Sequence, residues 1–142
     1  MAPARTSALV RLSPLLALLV VALVPYGWVA RFVPMFGVFV DGAFSSDAAH
    51  AIGHSLIFAV IGAALLRVFP GLLRRPWLYH GLILLVGIGQ EGFQLLYKGR
   101  GVVRNDLTDL GIDLVAAATV FALARLWSRR DTARPEGAQQ VV

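Results

Sequence analysis

Four stretches of the chain are apolar over about the 20 residues that a transmembrane helix needs. The first runs over about residues 12–33, with no charge between Leu12 and Ala30. In the second, about 48–68, the only ionisable side chains between Ala48 and Leu66 are His50 and His54. The third, 77–97, is interrupted by His80, Gln90, Glu91 and Gln94, and the fourth, 107–127, carries Asp109 and Asp113 near its start and Arg125 near its end. Pro25 lies inside the first stretch and predicts a kink that neighbouring helices accommodate. Two prolines break the short segment from Arg67 to Pro76, which reads as a tight turn. After Trp127 the chain becomes polar and carries Pro and Gly, the composition of a disordered tail over 128–142. The pattern predicts an all-α integral membrane protein: one four-helix transmembrane domain over 1–127, followed by that tail.

The first stretch is preceded by Arg5 and Arg11, as a secretory leader would be. Cleavage needs small residues at alternate positions, and Trp28-Val29-Ala30 puts a tryptophan at one of them, so an uncleaved anchor helix is expected. Orientation follows from the basic residues. With the N-terminus inside, nine of the 13 lie on the cytoplasmic side (Arg5, Arg11, Arg67, Arg74, Arg75, Arg125, Arg129, Arg130, Arg134) and four outside (Arg31, Lys98, Arg100, Arg104). Both termini are therefore expected in the cytoplasm, in a multi-pass membrane protein.

Composition agrees: 58% of the residues are hydrophobic and 15% charged, against about a quarter charged in soluble domains. The net charge of +5 does not point to nucleic acid, because the basic residues fall between the apolar runs and at the ends rather than on one face. The absence of cysteine excludes disulfides, thiolate metal sites and a cysteine nucleophile. No motif implies a cofactor.

The ionisable residues inside the spans change the picture most. A charge at mid-bilayer costs about 2.5–3.5 kcal/mol on insertion scales, so such residues face the bundle interior and mark a site. His54 lies six residues from the outer end of its span, Glu91 six from Tyr97, and Asp113 six from Leu107; at 1.5 Å per residue each is roughly 9 Å deep. Facing agrees with depth: Asp47, His50 and His54 form one i, i+3, i+7 stripe, Glu91 and Gln94 are i, i+3, and Asp106, Asp109 and Asp113 repeat i, i+3, i+7. Small residues on the same helices (Gly87, Gly89, Gly92, Ala116 to Ala118) allow close approach. Lys98, Arg100 and Arg104 oppose the charge bias, which suits partners for the acids or for an anionic ligand. Asp47 and Asp106 taken singly read as interfacial helix caps.

The segments His54-Ser-Leu-Ile-Phe58, Glu91-Gly-Phe-Gln94, Gly99-Arg100 and Asp106-Leu-Thr-Asp109-Leu-Gly-Ile-Asp113 resemble the VanZ-like membrane proteins, a family named for a teicoplanin-resistance protein. The resemblance covers roughly residues 47–120. It implies that His54, Glu91, Gln94, Arg100 or Arg104, Asp106 and Asp109 hold the family's polar positions. Ala51 stands where the family often has lysine, and Asp113 where asparagine is usual. The family has no defined reaction, so three functions are carried forward. The first is a binding or accessory role at the outer leaflet, toward a lipid-linked envelope intermediate or a glycopeptide antibiotic, with His54, Glu91, Gln94, Arg100, Arg104, Asp106, Asp109 and Asp113 as ligand-binding residues. The second is a membrane-embedded hydrolase or transferase with His54, Glu91 and Asp113 as acid–base groups. The third is a structural subunit of an envelope complex or homo-oligomer. His50 and His54 at i, i+4 have the spacing of a zinc helix but lack the glutamate of H-E-x-x-H, so no metal is expected on that motif.

Overall fold

Prolines and one serine set most of the helix starts. Pro34, Pro70 and Pro76 each open a helical segment at its first position, where a missing N–H costs nothing. Ser46 caps another, its hydroxyl accepting from the Ala49 N–H at 3.2 Å. The computed structural model describes residues 8–132, and every regular element among them is helical. In order these are α1 (Ala8–Leu23), α2 (Tyr26–Phe32), α3 (Pro34–Ala43), α4 (Asp47–Val68), a 3-10 turn (Pro70–Arg74), α5 (Pro76–Lys98) and α6 (Arg104–Thr132). Gly99 ends α5 in the left-handed region at φ 60°, its N–H bonded to Leu95 O at 2.9 Å.

At Pro25 the first apolar stretch breaks instead of kinking. α1 and α2 meet at 76°. Proline at this position removes the donor for the Val21 carbonyl and its ring crowds that turn. The Tyr26 hydroxyl supplies the missing donor, bonding Val21 O at 2.6 Å. The chain then folds back through α3, a ten-residue helix between the first two expected spans. No residue of α2 or α3 is buried.

α4 packs most extensively on α6. Two side-chain pairs join them, His50 to Asp109 and His54 to Asp113, both 59 residues apart. A constant offset over one helical turn requires the two helices to run parallel. α5 links them and returns antiparallel. The start of α1 (Val10, Pro14, Leu15) lies beside the end of α4 (Ala64, Arg67, Val68), and Leu23 at its other end meets Gly89. The four long helices thus alternate in direction around a core of Leu15, Phe58, Ile61, Tyr79, Ile83 and Phe121. Tyr79 pins three helices: its hydroxyl donates to Ala117 O at 2.9 Å on α6 and rests against Gly62 on α4.

Large apolar side chains such as Leu56, Leu85, Val115 and Leu123 face outward. Among the described residues α4 and, over Arg104–Arg130, α6 are long and apolar enough to cross a membrane, and the bent α1–α2 pair makes a third if it counts as one span. α5 is a continuous 23-residue helix whose His80, Gln90, Glu91 and Gln94 dilute its apolar character. α6 continues to Thr132 and so takes in the first five residues, 128–132, of the expected tail; residues 133–142 of that tail lie outside the described residues.

Candidate functional site

The polar stripes of α4 and α6 face each other. His54 Nδ1 lies 2.9 Å from Asp113 Oδ1, and one turn nearer the helix starts His50 Nε2 lies 3.2 Å from Asp109 Oδ2. The inner pair is buried, with His54 4% and Asp113 0% exposed, while the outer pair is only partly covered. The imidazole rings are 4.7 Å apart and tilted by 44°. Gly87 of α5 lets Leu110 of α6 pack close, since a Cβ there would meet the Leu110 side chain at 2.6 Å, while Asp113 Oδ2 would lie at an ordinary contact distance of 3.6 Å.

α5 brings Gln90, Glu91 and Gln94 to the same level. Gln90 and Glu91 are buried, and Glu91 lies within Coulombic reach of His54, Asp109, Asp106 and Asp113. Three buried oxygens here have no protein hydrogen-bond partner: Gln90 Oε1, Glu91 Oε1 and Asp113 Oδ2. Buried polar atoms are nearly always paired, so such a concentration is typical of a site rather than of a core. Gln94 Oε1 accepts from Lys98 Nζ at 2.8 Å.

Two hollows flank the ladder. A cavity of about 190 Å³ lies at the α1–α2 corner and is walled by Pro25, Phe44, His50, His54, Gln90 and Gln94, among others. A wider cleft of about 680 Å³ opens between the starts of α4 and α6, lined by His50, Lys98, Arg100, Asp106 and Asp109. Phe44, His50 and Lys98 border both. Phe44 is held against Gly53, so the end of α3 roofs the histidines.

The two candidate arginines separate. Arg100 grips Asp106 with both guanidinium nitrogens, at 2.8 and 2.7 Å, and donates to Gly101 O at 2.9 Å. The Asp106 hydrogen bond raises the Arg100 pKa. Asp106 Oδ2 also accepts from the Val103 N–H at 2.8 Å, the reach-back of a third-position acid in a capping box. Asp106 is therefore a helix cap held by Arg100, and both residues also line the cleft. Arg104 is exposed at the first position of α6 and stays clear of the acids.

Of the expected site residues, the structure joins His54 with Asp113 and His50 with Asp109, places Glu91 in their field, and lines one cavity with Gln94, His50 and His54. Among the glycines expected to permit close approach, Gly87 does so, whereas Gly92 has only open space beside it. Sequence spacing missed Gln90, Phe44 and Tyr97. Gln90 is adjacent to Glu91 and lies outside the i, i+3 pair of Glu91 and Gln94. Tyr97 donates to Gly27 O at 2.8 Å and accepts from Arg31 Nε at 3.1 Å, tying α2 to α5. No periodicity marks such a contact. Comparison of the chain with protein-family models, with curated proteins and with solved structures found no match. The site is read from its own geometry.

Proposed function

We propose that this chain is a VanZ-like protein of a bacterial cytoplasmic membrane, with four spans and both termini inside. Its polar site binds the anionic headgroup of a lipid-linked cell-envelope intermediate at the outer leaflet. The observation that carries this reading is the paired histidines between a small cavity and a polar cleft, at the end of the bundle that bears Lys98 and Arg104. α5 is the third span on this reading, since its costly residues face inward, and the broken α1–α2 corner leaves a side entrance near the surface. Lys98, which borders both hollows, supplies positive charge at the mouth, and Arg104 adds to it from the exposed start of α6. Arg100 acts indirectly, by fixing the start of α6.

The test is binding of the full-length protein in nanodiscs to vesicles carrying a polyprenyl pyrophosphate, against vesicles of phosphatidylcholine alone. His54→Ala and the pair Lys98→Ala with Arg104→Ala should each weaken binding about tenfold or more, which corresponds to about 1.4 kcal/mol. Equal binding to both vesicle types, or by all variants, would remove the reading. The buried, unpaired oxygens of Glu91 and Asp113 beside His54 favour one second reading, acid–base hydrolysis or transfer on the same headgroup. It requires release of free phosphate or a transferred group from those vesicles.

A further inference from the structure

We propose that His50, His54 and Asp109 bind a divalent transition-metal ion of the zinc class, with Asp113 orienting His54 and one coordination position open toward the cavity. One ligand atom from each of the three residues lies within 4.8 Å of the other two. Bonds of about 2.0–2.1 Å in a tetrahedral site place ligand atoms roughly 3.4 Å apart. The His50–Asp109 edge already stands at 3.2 Å, so side-chain rotation needs to draw in only the remaining edges. The donors sit on two parallel helices locked in register, and such a scaffold limits how far the ligands can drift.

The surroundings have the form of a metal site's support. A ligating histidine usually gives its second ring N–H to a carboxylate, which fixes the tautomer and the ring plane. Asp113 stands in that relation to His54, 2.9 Å from Nδ1 in the fully buried part of the bundle. With Nδ1 carrying the proton, the lone pair is on Nε2. Charge points the same way. Three carboxylates (Glu91, Asp109, Asp113) interact electrostatically with His54, and two of them leave a buried oxygen unpaired. A region so rich in buried acceptors favours a dication. The donor set of imidazole and carboxylate, without thiolate, suits Zn²⁺, Co²⁺, Mn²⁺ or Fe²⁺ and not Cu⁺.

Position gives the ion a use. His50 lies on the wall between the cavity and the cleft, so a fourth ligand would be reached from the hollow that the bundle leaves open. Three protein ligands with a free position is the pattern of zinc sites that bind substrate, whereas structural sites are closed by four. The inference does not depend on lipid binding: the metal is taken up by the protein alone.

The experiment uses the full-length protein in nanodiscs, stripped with chelator and titrated with Zn²⁺ and separately with Co²⁺, with no envelope lipid present. The expected result is one ion per chain and the visible d–d bands of Co²⁺ at low coordination number. His54→Ala and Asp109→Ala should abolish the bands, Asp113→Asn should weaken binding by about 10–100-fold, and the outward-facing Leu123→Ala should leave the titration unchanged. If the His54 or Asp109 variant fails to fold, the zinc-edge X-ray absorption of the unaltered protein decides. Scattering from two imidazole rings supports the site, and a shell of oxygens alone overturns it. No stoichiometric uptake, or variant titrations that superimpose on the parent's, would also overturn it, leaving the ladder as two hydrogen bonds that hold α4 to α6.

Discussion

At position 62 the absence of a Cβ is what lets Tyr79 lie across α4, and the hydroxyl that uses this space also makes the bond to Ala117 O. The two facts can be separated by mutation. Gly62→Ala places a methyl group against the Tyr79 hydroxyl, and overpacking of this kind costs about 1–3 kcal/mol. Tyr79→Phe alone loses one buried hydrogen bond, about 1 kcal/mol. Combined, they should not add. Without the hydroxyl, the new Cβ meets only Tyr79 Cζ at 3.5 Å and Ala117 Cα at 3.6 Å, and alanine recovers about 1 kcal/mol of helix propensity over glycine. Gly62→Ala is therefore expected to destabilise the parent and to be neutral or stabilising in the Tyr79→Phe background. Unfolding by SDS in mixed micelles measures the coupling, and an equal penalty in both backgrounds would refute the packing described. This contact could not be read from the chain. A lone glycine and a lone tyrosine, 17 positions apart, carry no periodicity that pairs them. The histidine and aspartate stripes were legible because their cost in an apolar run recurs at helical spacing on both helices.

At the level of elements, α4, α5 and α6 follow from the apolar lengths and their flanking breakers, while the region before α4 does not. A window of span length reads residues 12–33 as one helix, because the apolar side chains continue through Pro25. Only the local substitution of Tyr26 Oη for a backbone donor makes a sharp corner affordable. α3 is short and apolar on nearly all sides, so it offers neither span length nor a polar face to mark it as a helix. The corner leans on α5 through Tyr97, which bonds Gly27 O, receives Arg31 Nε and lies beneath the Arg31 guanidinium, 4.6 Å from the ring centroid. Tyr97→Phe keeps the ring and its cation–π contact, worth about 0.5–1 kcal/mol, but removes both hydrogen bonds. α2 should then loosen without disturbing the ladder. Because the chain has no cysteine, spin labels can be placed as unique pairs: Ala30→Cys with Leu96→Cys across α2 and α5, and Ile52→Cys with Val115→Cys across α4 and α6. Electron–electron distance measurements should broaden for the first pair in Tyr97→Phe and stay narrow for the second. An unchanged first distribution would show that other contacts hold the corner.

For the whole molecule, the parallel course of α4 and α6 turns a charge count into a geometric statement. The connection from the end of α4 to the start of α5 carries Arg67, Arg74 and Arg75, and the end of α6 carries Arg125, Arg129 and Arg130. Parallel helices place these ends on one side. Ser45 and Ser46, which precede α4, and the segment from Gly99 to Val103, which precedes α6, lie at the other. The arginine-rich end belongs in the cytoplasm if the positive-inside bias governs insertion, and the polar site then faces the outer leaflet. Single cysteines decide the matter. Gly71 and Gly101 have open space where a Cβ would be added, and Ser45 and Ser128 are exposed, so all four positions accept the change. In intact cells, a membrane-impermeant maleimide should label Ser45→Cys and Gly101→Cys, and should reach Gly71→Cys and Ser128→Cys only after permeabilisation. The inverse pattern would turn the molecule over. His50, His54 and their acids would then lie toward the cytoplasm, and an envelope ligand at the outer leaflet would have no route to them. Labelling of Gly71→Cys and Gly101→Cys from the same side would be more damaging, because it would mean that α5 does not cross the membrane at all.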